Sequence, residues 1–279
     1  MSTHPMRYTG APARRAAILE RLHATGFDSI ADISERLGVS EMTARRDARR
    51  LDEDGEAVAV HGGLRLRLPA TDRDHDAPEY DGRESARNAA KRAVGRAAAQ
   101  CVRPDDVIAI DAGTTTVQLA RALPAVFHGT VITHSLPVIN HLLDKPAVTV
   151  IALGGDLHRP SRALVGSATI EMARRYRVRT LYLGAAAVDE RGVYALGDVE
   201  RLVKLELMNI ADRVVLLIDQ DKFSARAPVF LCSWDRLASV VTDRQPPPVI
   251  AKRLQSEGIE FVLPQLSSSA DWVDSQTPE

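Results

Sequence analysis

The sequence lacks three features that would assign it to particular classes of protein. It has two cysteines, Cys101 and Cys232, and no CxxC pair, which argues against a disulfide scaffold and predicts a reducing, cytoplasmic environment. No uninterrupted apolar run reaches the ~18 residues that a transmembrane helix needs, so we expect no membrane contact. The opening residues MSTHPMRYTGAPARR contain no apolar stretch of the kind that a signal peptide requires.

An excess of charge of one sign is also missing. The chain has 36 Lys and Arg against 37 Asp and Glu, a formal net charge of −1, so any nucleic-acid site must come from local clustering of basic residues. Of the 279 residues, 45% are apolar and 26% are charged, which are ordinary values for a globular protein. This length is enough for one small and one mid-sized domain.

The first part of the chain has the pattern of a winged helix-turn-helix domain, predicted over residues 14–68. Apolar residues recur at helical spacing over 14–24 and 29–38, and glycines follow each run. Ser40 then stands where an N-cap belongs, before a third, arginine-rich helix over 41–53. The next segment, GEAVAVHGGLRLRLP, alternates apolar and polar residues around a glycine turn. This alternation predicts a two-stranded hairpin, the wing.

The third helix carries the candidate DNA contacts. Ala44, Ala48 and Leu51 form a narrow packing face and leave the arginines to point elsewhere. The arginines would then read a DNA groove, although a solvated helix face that pairs with neighbouring aspartates is the open alternative. The residues predicted to contact a double-stranded operator are Ser40, Thr43, Arg45, Arg46, Arg49, Arg50 and His61.

The rest of the chain predicts an α/β fold. Residues 69–84 are rich in charge, with Pro and Gly, and are interpreted as a linker. After a helix over about 85–100, seven strand-like apolar runs alternate with helical patterns. This rhythm predicts βαβ units and a mainly parallel, doubly wound sheet over 85–264. Residues 1–13 and 265–279 are expected to be flexible tails.

Polar residues follow several of these strands, and ligands bind at the carboxyl ends of the strands in open α/β sheets. The segment DAGTTT, residues 111–116, favours an anion because glycine allows close approach and a helix begins there. No catalytic motif, metal-ligand spacing or cofactor fingerprint is present, so we predict neither catalysis nor a cofactor. The predicted effector-binding residues are Asp111, Gly113, Thr114, Thr115, Thr116, His134, Ser135, Gly154, Gly155, Glu200, Asp219 and Lys222.

From about residue 14 to residue 243, the chain resembles the DeoR family of bacterial transcriptional regulators. The matching segments are VSEMTARRDARRL and HGG in the first domain, and DAGTTT, VITHS, LGGDLH, LVG, YLGAA, ERLVK, DQDKF and VVTD in the second. The resemblance implies a winged helix-turn-helix joined to a sensor domain similar to ribose-5-phosphate isomerases and CoA transferases. It also implies a homodimer or larger oligomer that binds a phosphorylated sugar and represses genes of carbohydrate metabolism.

The chain departs from the family pattern at Ala44 and Ala48, where Ile and Leu are usual, at His134, where Asn is common, and at Ala187, where Gly is frequent. His134 raises the hypothesis that ligand binding depends on pH near neutrality. Two other functions stay open at this point. One is a sugar-phosphate isomerase or CoA-transferase-like enzyme that uses Lys222 with Glu200 or Asp219, and the other is a DNA-organising protein without a small ligand.

Overall fold

The structure is a computed structural model that describes residues 10–25, 27–60, 62–66 and 80–264. The first domain consists of α1 (Ala11–Thr25), β1 (Phe27–Ser29), α2 (Ile30–Leu37), α3 (Glu41–Glu53), β2 (Ala57–Val60) and β3 (Gly63–Leu66). The three predicted helices and the hairpin are confirmed. The unpredicted β1 pairs with β3 and completes a small antiparallel sheet. Because α1 begins at Ala11, the end of the predicted tail is helical.

Local signals fix the turn between α2 and α3. Gly38 ends α2 with a φ of 63°, a left-handed conformation that glycine adopts without steric cost. Ser40 caps α3, because its side chain accepts a hydrogen bond from the backbone N–H of Thr43 at 3.3 Å. Ala44 and Ala48 are buried against α1 and α2. Small residues here let α3 lie close to the helices beneath it.

The second domain is built on a parallel sheet, and all seven predicted strands are confirmed. In the described part of the chain, its strands run in the order β15-β14-β12-β9-β4-β5-β6. Their bounds are β4 (Val107–Ile110), β5 (Thr130–Thr133), β6 (Thr149–Ala152), β9 (Val178–Gly184), β12 (Ala211–Ile218), β14 (Ser239–Thr242) and β15 (Glu260–Val262).

Helices cover both faces of this sheet. Ile108 and Ile110 of β4 pack on one face, whereas Ala109 between them belongs to the core on the other face. Both faces are therefore buried, which explains why the strands are continuously apolar. The helices of this domain are α4 (Tyr80–Ser85), α5 (Asn88–Ala99), α6 (Thr116–Ala122), α7 (Leu136–Leu142), α8 (Ser167–Ala173), α9 (Asp198–Asn209) and α10 (Pro248–Ser256).

Three local features of the second domain differ from the sequence predictions. Residues 80–84 of the predicted linker lie in α4, because Tyr80 is buried and anchors this short helix. The helix predicted over 85–100 begins at Asn88, after Arg87 adopts a left-handed φ of 54°. Short antiparallel strands were also not predicted, since three or four residues carry too little pattern. They are β7 (Asp156–His158), β8 (Ala163–Val165), β10 (Ala187–Asp189), β11 (Gly192–Ala195) and β13 (Val229–Cys232).

The predicted tail over 265–279, most of the predicted linker, Gly26 and His61 lie outside the described residues. Among the helices that are described, none is both long and apolar enough to cross a membrane. The described residues also include no cluster of three or more His, Cys, Asp or Glu side chains suited to holding a metal ion.

Candidate functional sites

The exposed face of α3 carries the four predicted arginines. Arg50 forms an ion pair with Asp54 at 3.2 Å, so the predicted pairing with a neighbouring aspartate is present at this position, and Arg50 also contacts Glu53 at 3.4 Å. Arg45 instead pairs with a glutamate, Glu41, at 3.3 Å. Arg46 and Arg49 are exposed and form no ion pair with any other described residue.

Asp47, which the alternative interpretation paired with these arginines, instead contacts Arg14 of α1 at 2.8 Å. This pair ties α3 to α1 from the buried side of the helix. Arg46 and Arg49 are therefore the charges on α3 that remain available to a nucleic acid. Of the shorter candidate contacts, Thr43 is half-buried and Ser40 is exposed, with its side chain engaged in the cap.

A cavity of about 220 Å3 opens where β4, β9 and β12 end. This edge of the sheet is where open α/β folds place their ligands. Five of the predicted effector residues line it: Gly113, Thr114, Thr115, Glu200 and Lys222. The other lining residues are Arg83, Ala112, Gly184, Ala185, Ala186, Leu196, Lys204, Ala225 and Arg226.

Buried contacts of Asp111 anchor the loop over residues 112–115, at the edge of this cavity. Its carboxylate is fully buried, accepts a hydrogen bond from the Gly184 backbone N–H at 2.9 Å, and lies 3.1 Å from Nε2 of His134. Lys204 forms an ion pair with the same carboxylate and donates to the Gly184 carbonyl oxygen at 3.2 Å. The hydroxyl of Thr116 donates to the Asp111 carbonyl oxygen at 2.6 Å. These contacts fix the backbone of the loop over residues 112–115.

Burial and neighbouring charges shift the pKa values of Asp111 and Lys222. Burial raises the pKa of Asp111, but the charge of Lys204 and the hydrogen bond with His134 lower it by more than burial raises it, so the net pKa lies below its usual value. Asp111 is therefore an anion that neutralises Lys204. Burial lowers the pKa of Lys222, the nearby charge of Asp219 opposes this, and Arg83 lowers the pKa again. An anion in the cavity would favour the charged form of Lys222.

Glu200 supplies a carboxylate to the same cavity. It lies on α9 one turn before Lys204, and this spacing puts both side chains on one face of the helix. Nδ1 of His158 is 3.9 Å from its carboxylate. The cavity therefore combines cations with an acceptor for hydroxyl groups.

The remaining predicted effector residues do not line the cavity. His134 is buried, and its Nδ1 donates to the Leu164 carbonyl oxygen at 2.9 Å. Ser135 caps α7, and Asp219 accepts a hydrogen bond from the backbone N–H of Asp221 at 3.1 Å. Asp111, Thr116, Gly154 and Gly155 are also outside the lining set.

Sequence reasoning did not assign three cations to this cavity. Lys204 stands in the segment ERLVK, and its helical spacing from Glu200 was a usable signal. Arg83 falls within the predicted linker, and Arg226 follows DQDKF without any motif. Only the folded chain brings these two side chains to the cavity.

Comparison with known proteins assigns both domains. Residues 14–68 match the family described as a DeoR-like helix-turn-helix domain, and residues 86–244 match the DeoR C terminal sensor domain. Among solved structures, ribose 5-phosphate isomerase A from Methanocaldococcus jannaschii is similar in fold. The matched region covers 50% of this chain and 55% of the isomerase chain, with a TM-score of 0.37 and 17% sequence identity.

Full-length relatives agree with the family matches. The putative aga operon transcriptional repressor of Escherichia coli O157:H7 is 29% identical over 261 residues, which cover 92% of this chain and 95% of the relative. The HTH-type transcriptional repressor CsqR of Escherichia coli K12 is 30% identical over 258 residues, which cover 92% and 97%. One relative is named a putative transcriptional repressor and the other an HTH-type transcriptional repressor, which confirms the prediction of a DNA-binding regulator rather than an enzyme. The chain belongs to the DeoR family of transcriptional regulators.

Proposed function

We propose that this regulator is a cytoplasmic repressor whose affinity for its operator is controlled by a phosphorylated sugar or a similar small anionic metabolite. The observation that carries the proposal is the charge of the sensor cavity. Arg83, Lys204, Lys222 and Arg226 line it, against the single carboxylate of Glu200 among the lining residues. Lys204 is neutralised by Asp111, so three cations remain for a ligand.

The polar groups of the cavity fit a ligand that carries both charge and hydroxyl groups. Thr114 and Thr115 lie on the loop after β4, and Thr115 makes no capping hydrogen bond with its side chain. Its hydroxyl is therefore available to a phosphate oxygen, unlike the hydroxyl of Thr116, which is bound to the backbone. Glu200 would accept hydrogen bonds from sugar hydroxyls.

On the DNA side, the repressor would act as a homodimer or larger homo-oligomer. Two copies of α3 would enter successive major grooves about 34 Å apart. Arg46 and Arg49 support this role because they are exposed and not paired with acidic residues of the described chain. To release the operator, the ligand needs to favour the non-binding state by a few kcal/mol.

The experiment measures operator affinity in the presence of a panel of pentose and hexose phosphates. DNA selected from a random library by the full-length protein serves as the operator, and fluorescence anisotropy reports binding. We expect at least one sugar phosphate to weaken binding about 10-fold or more, which corresponds to ~1.4 kcal/mol.

Variants at one position test the proposed ligand contact. Thr115→Ala is expected to abolish the response and to leave ligand-free DNA binding intact, because Thr115 is remote in sequence from α3. Thr115→Ser keeps the hydroxyl and is expected to keep the response. A full response in Thr115→Ala would contradict the proposed contact. The absence of any response across the panel would favour a DNA-organising protein without a small ligand.

A further inference from the structure

The helix α4 occupies a special position in the chain. It is the first described element after the helix-turn-helix domain, and it also reaches the sensor cavity, because Arg83 lines that cavity. Nε of Arg83 is buried and has no hydrogen-bond partner. A buried guanidinium N–H without an acceptor is costly, and an anionic oxygen in the cavity would satisfy it.

Contacts with Pro160 and Arg162 hold α4 in place. Tyr80 is buried, and the guanidinium of Arg162 lies 5.0 Å from the centre of its ring. Asp81 pairs with Arg162 at 2.6 Å, and Arg83 donates to the Pro160 carbonyl oxygen at 2.7 Å. A helix of six residues is not stable alone. The helix α4 therefore exists because it docks on the sensor domain.

Docking of α4 brings several positively charged side chains close together. Nζ of Lys91 donates to the carbonyl oxygens of Arg83 and Ala86, the latter at 2.7 Å, and only 3% of Lys91 is exposed. Burial lowers the pKa of Lys91, Asp219 opposes this, and the charges of Lys222 and Arg83 lower it further. These cations repel one another when the cavity holds no anion, and a bound anion would remove this cost of docking.

We propose that Arg83 binds the anionic group of the ligand and that this contact strengthens the docking of α4, so that α4 transmits occupancy of the cavity to the chain segment leading to the DNA-binding domain. The inference rests on the proposed function and adds the element that couples the two domains. It makes α4 a two-state element, docked or released, whose equilibrium the ligand shifts. Because linkage is reciprocal, changes that weaken docking must also weaken ligand binding.

The first test uses the full-length protein and isothermal titration with inorganic phosphate at constant ionic strength. Arg83→Gln is expected to weaken phosphate binding about 10-fold or more, since a hydrogen bond to a charged group is lost. Arg92→Gln removes the same charge from the neighbouring α5, where Arg92 donates a hydrogen bond to Asn88 at 2.9 Å, and this variant is expected to bind phosphate normally.

The second test separates coupling from direct contact. Arg162→Gln loosens α4 without removing a residue that lines the cavity, and it is expected to weaken phosphate binding several-fold through linkage. Hydrogen exchange of the peptide covering residues 80–87 is expected to slow when phosphate binds the wild-type protein, and to slow less in Arg83→Gln.

The outcomes distinguish the two proposals. If the wild-type protein binds neither phosphate nor any sugar phosphate, the proposed function and this inference both fail. If it binds but Arg83→Gln binds equally well, or if exchange over residues 80–87 does not change, the proposed function stands and the inference is overturned.

Discussion

The buried ion pair between Asp111 and Lys204 offers a sharp test of how the sensor site is held together. Asp111 is fully buried and 4% of Lys204 is exposed, so solvent does not screen the pair. Lys204→Met keeps much of the side-chain length and removes the charge. The carboxylate would retain its contacts with the Gly184 N–H and His134 but lose its cationic partner.

Removing one member of a buried pair costs about 3–5 kcal/mol, because the other charge stays buried without compensation. This is a large part of the ~5–15 kcal/mol by which folded proteins are stable. We therefore expect Lys204→Met to lower the free energy of unfolding by about 3–5 kcal/mol. The double variant with Asp111→Asn removes both charges, and it is expected to recover at least half of the loss.

The loss of unfolding free energy in Lys204→Met should also depend on pH. In the wild-type protein the folded pKa of Asp111 lies below its usual value of 3.8, so its contribution to stability is present above that value and is lost as the pH falls through the folded pKa. Without Lys204, burial raises the pKa of Asp111. Protonation then relieves the buried charge, and the gap between variant and wild type narrows in acid.

Urea unfolding between pH 7 and pH 4 measures both effects. Trp234 is buried in the sensor domain and reports its unfolding by fluorescence. Replacement of Trp272 by Phe in every variant removes the second tryptophan signal. A loss below about 1 kcal/mol, the range of exposed pairs, or a loss that stays constant with pH, would refute the interpretation of a buried, mutually dependent pair.

Three further outcomes are expected. Arg46→Ala should weaken DNA binding and reduce the slope of log affinity against log salt concentration by about 1. Arg50→Ala should weaken DNA binding less, because Arg50 already pairs with acidic neighbours. Equal losses of affinity in anisotropy titrations would contradict this. Phosphate binding should weaken as pH rises toward the ordinary Lys pKa of about 10.4, since burial lowers the pKa of Lys222; calorimetry showing the same decline in Lys222→Gln would exclude that cause. Gly155→Ala should lower the free energy of unfolding by about 1–3 kcal/mol in thermal unfolding, because the φ of Gly155 is 137° and an added Cβ would lie 2.5 Å from a carbonyl oxygen. Gly154→Ala, which has open space around it, should not lower the free energy of unfolding.

Much of the fold could be predicted because its signals are local. The seven strands of the sheet are continuous apolar runs, and the helices between them repeat at their own period. The turn before α3 follows from Gly38 and Ser40, which act within a few residues of their own positions. The short strands β7 and β8 were not predictable, because their pairing depends on a neighbour and not on a pattern of their own.

The candidate ligand site was also predictable only where its signals are local. DAGTTT predicted the loop after β4, and Thr114 and Thr115 line the cavity. The adjacent Thr116 has the same chemistry, yet its hydroxyl is bound to the Asp111 carbonyl oxygen. His134 likewise supports Asp111 and does not line the cavity. The sequence shows which groups are near a strand end, but the direction of each side chain depends on the packing around it.

The sequence by itself therefore determined that this protein has a DNA-binding domain followed by a parallel α/β sensor, because periodicity and capping act over short distances. Only the tertiary structure decided which charges meet. Arg83, Lys204 and Arg226 come from a helix after the first domain, the middle of α9 and a loop after β12. Their convergence on one cavity follows from the crossovers that bring the carboxyl ends of β4, β9 and β12 to the same edge of the sheet.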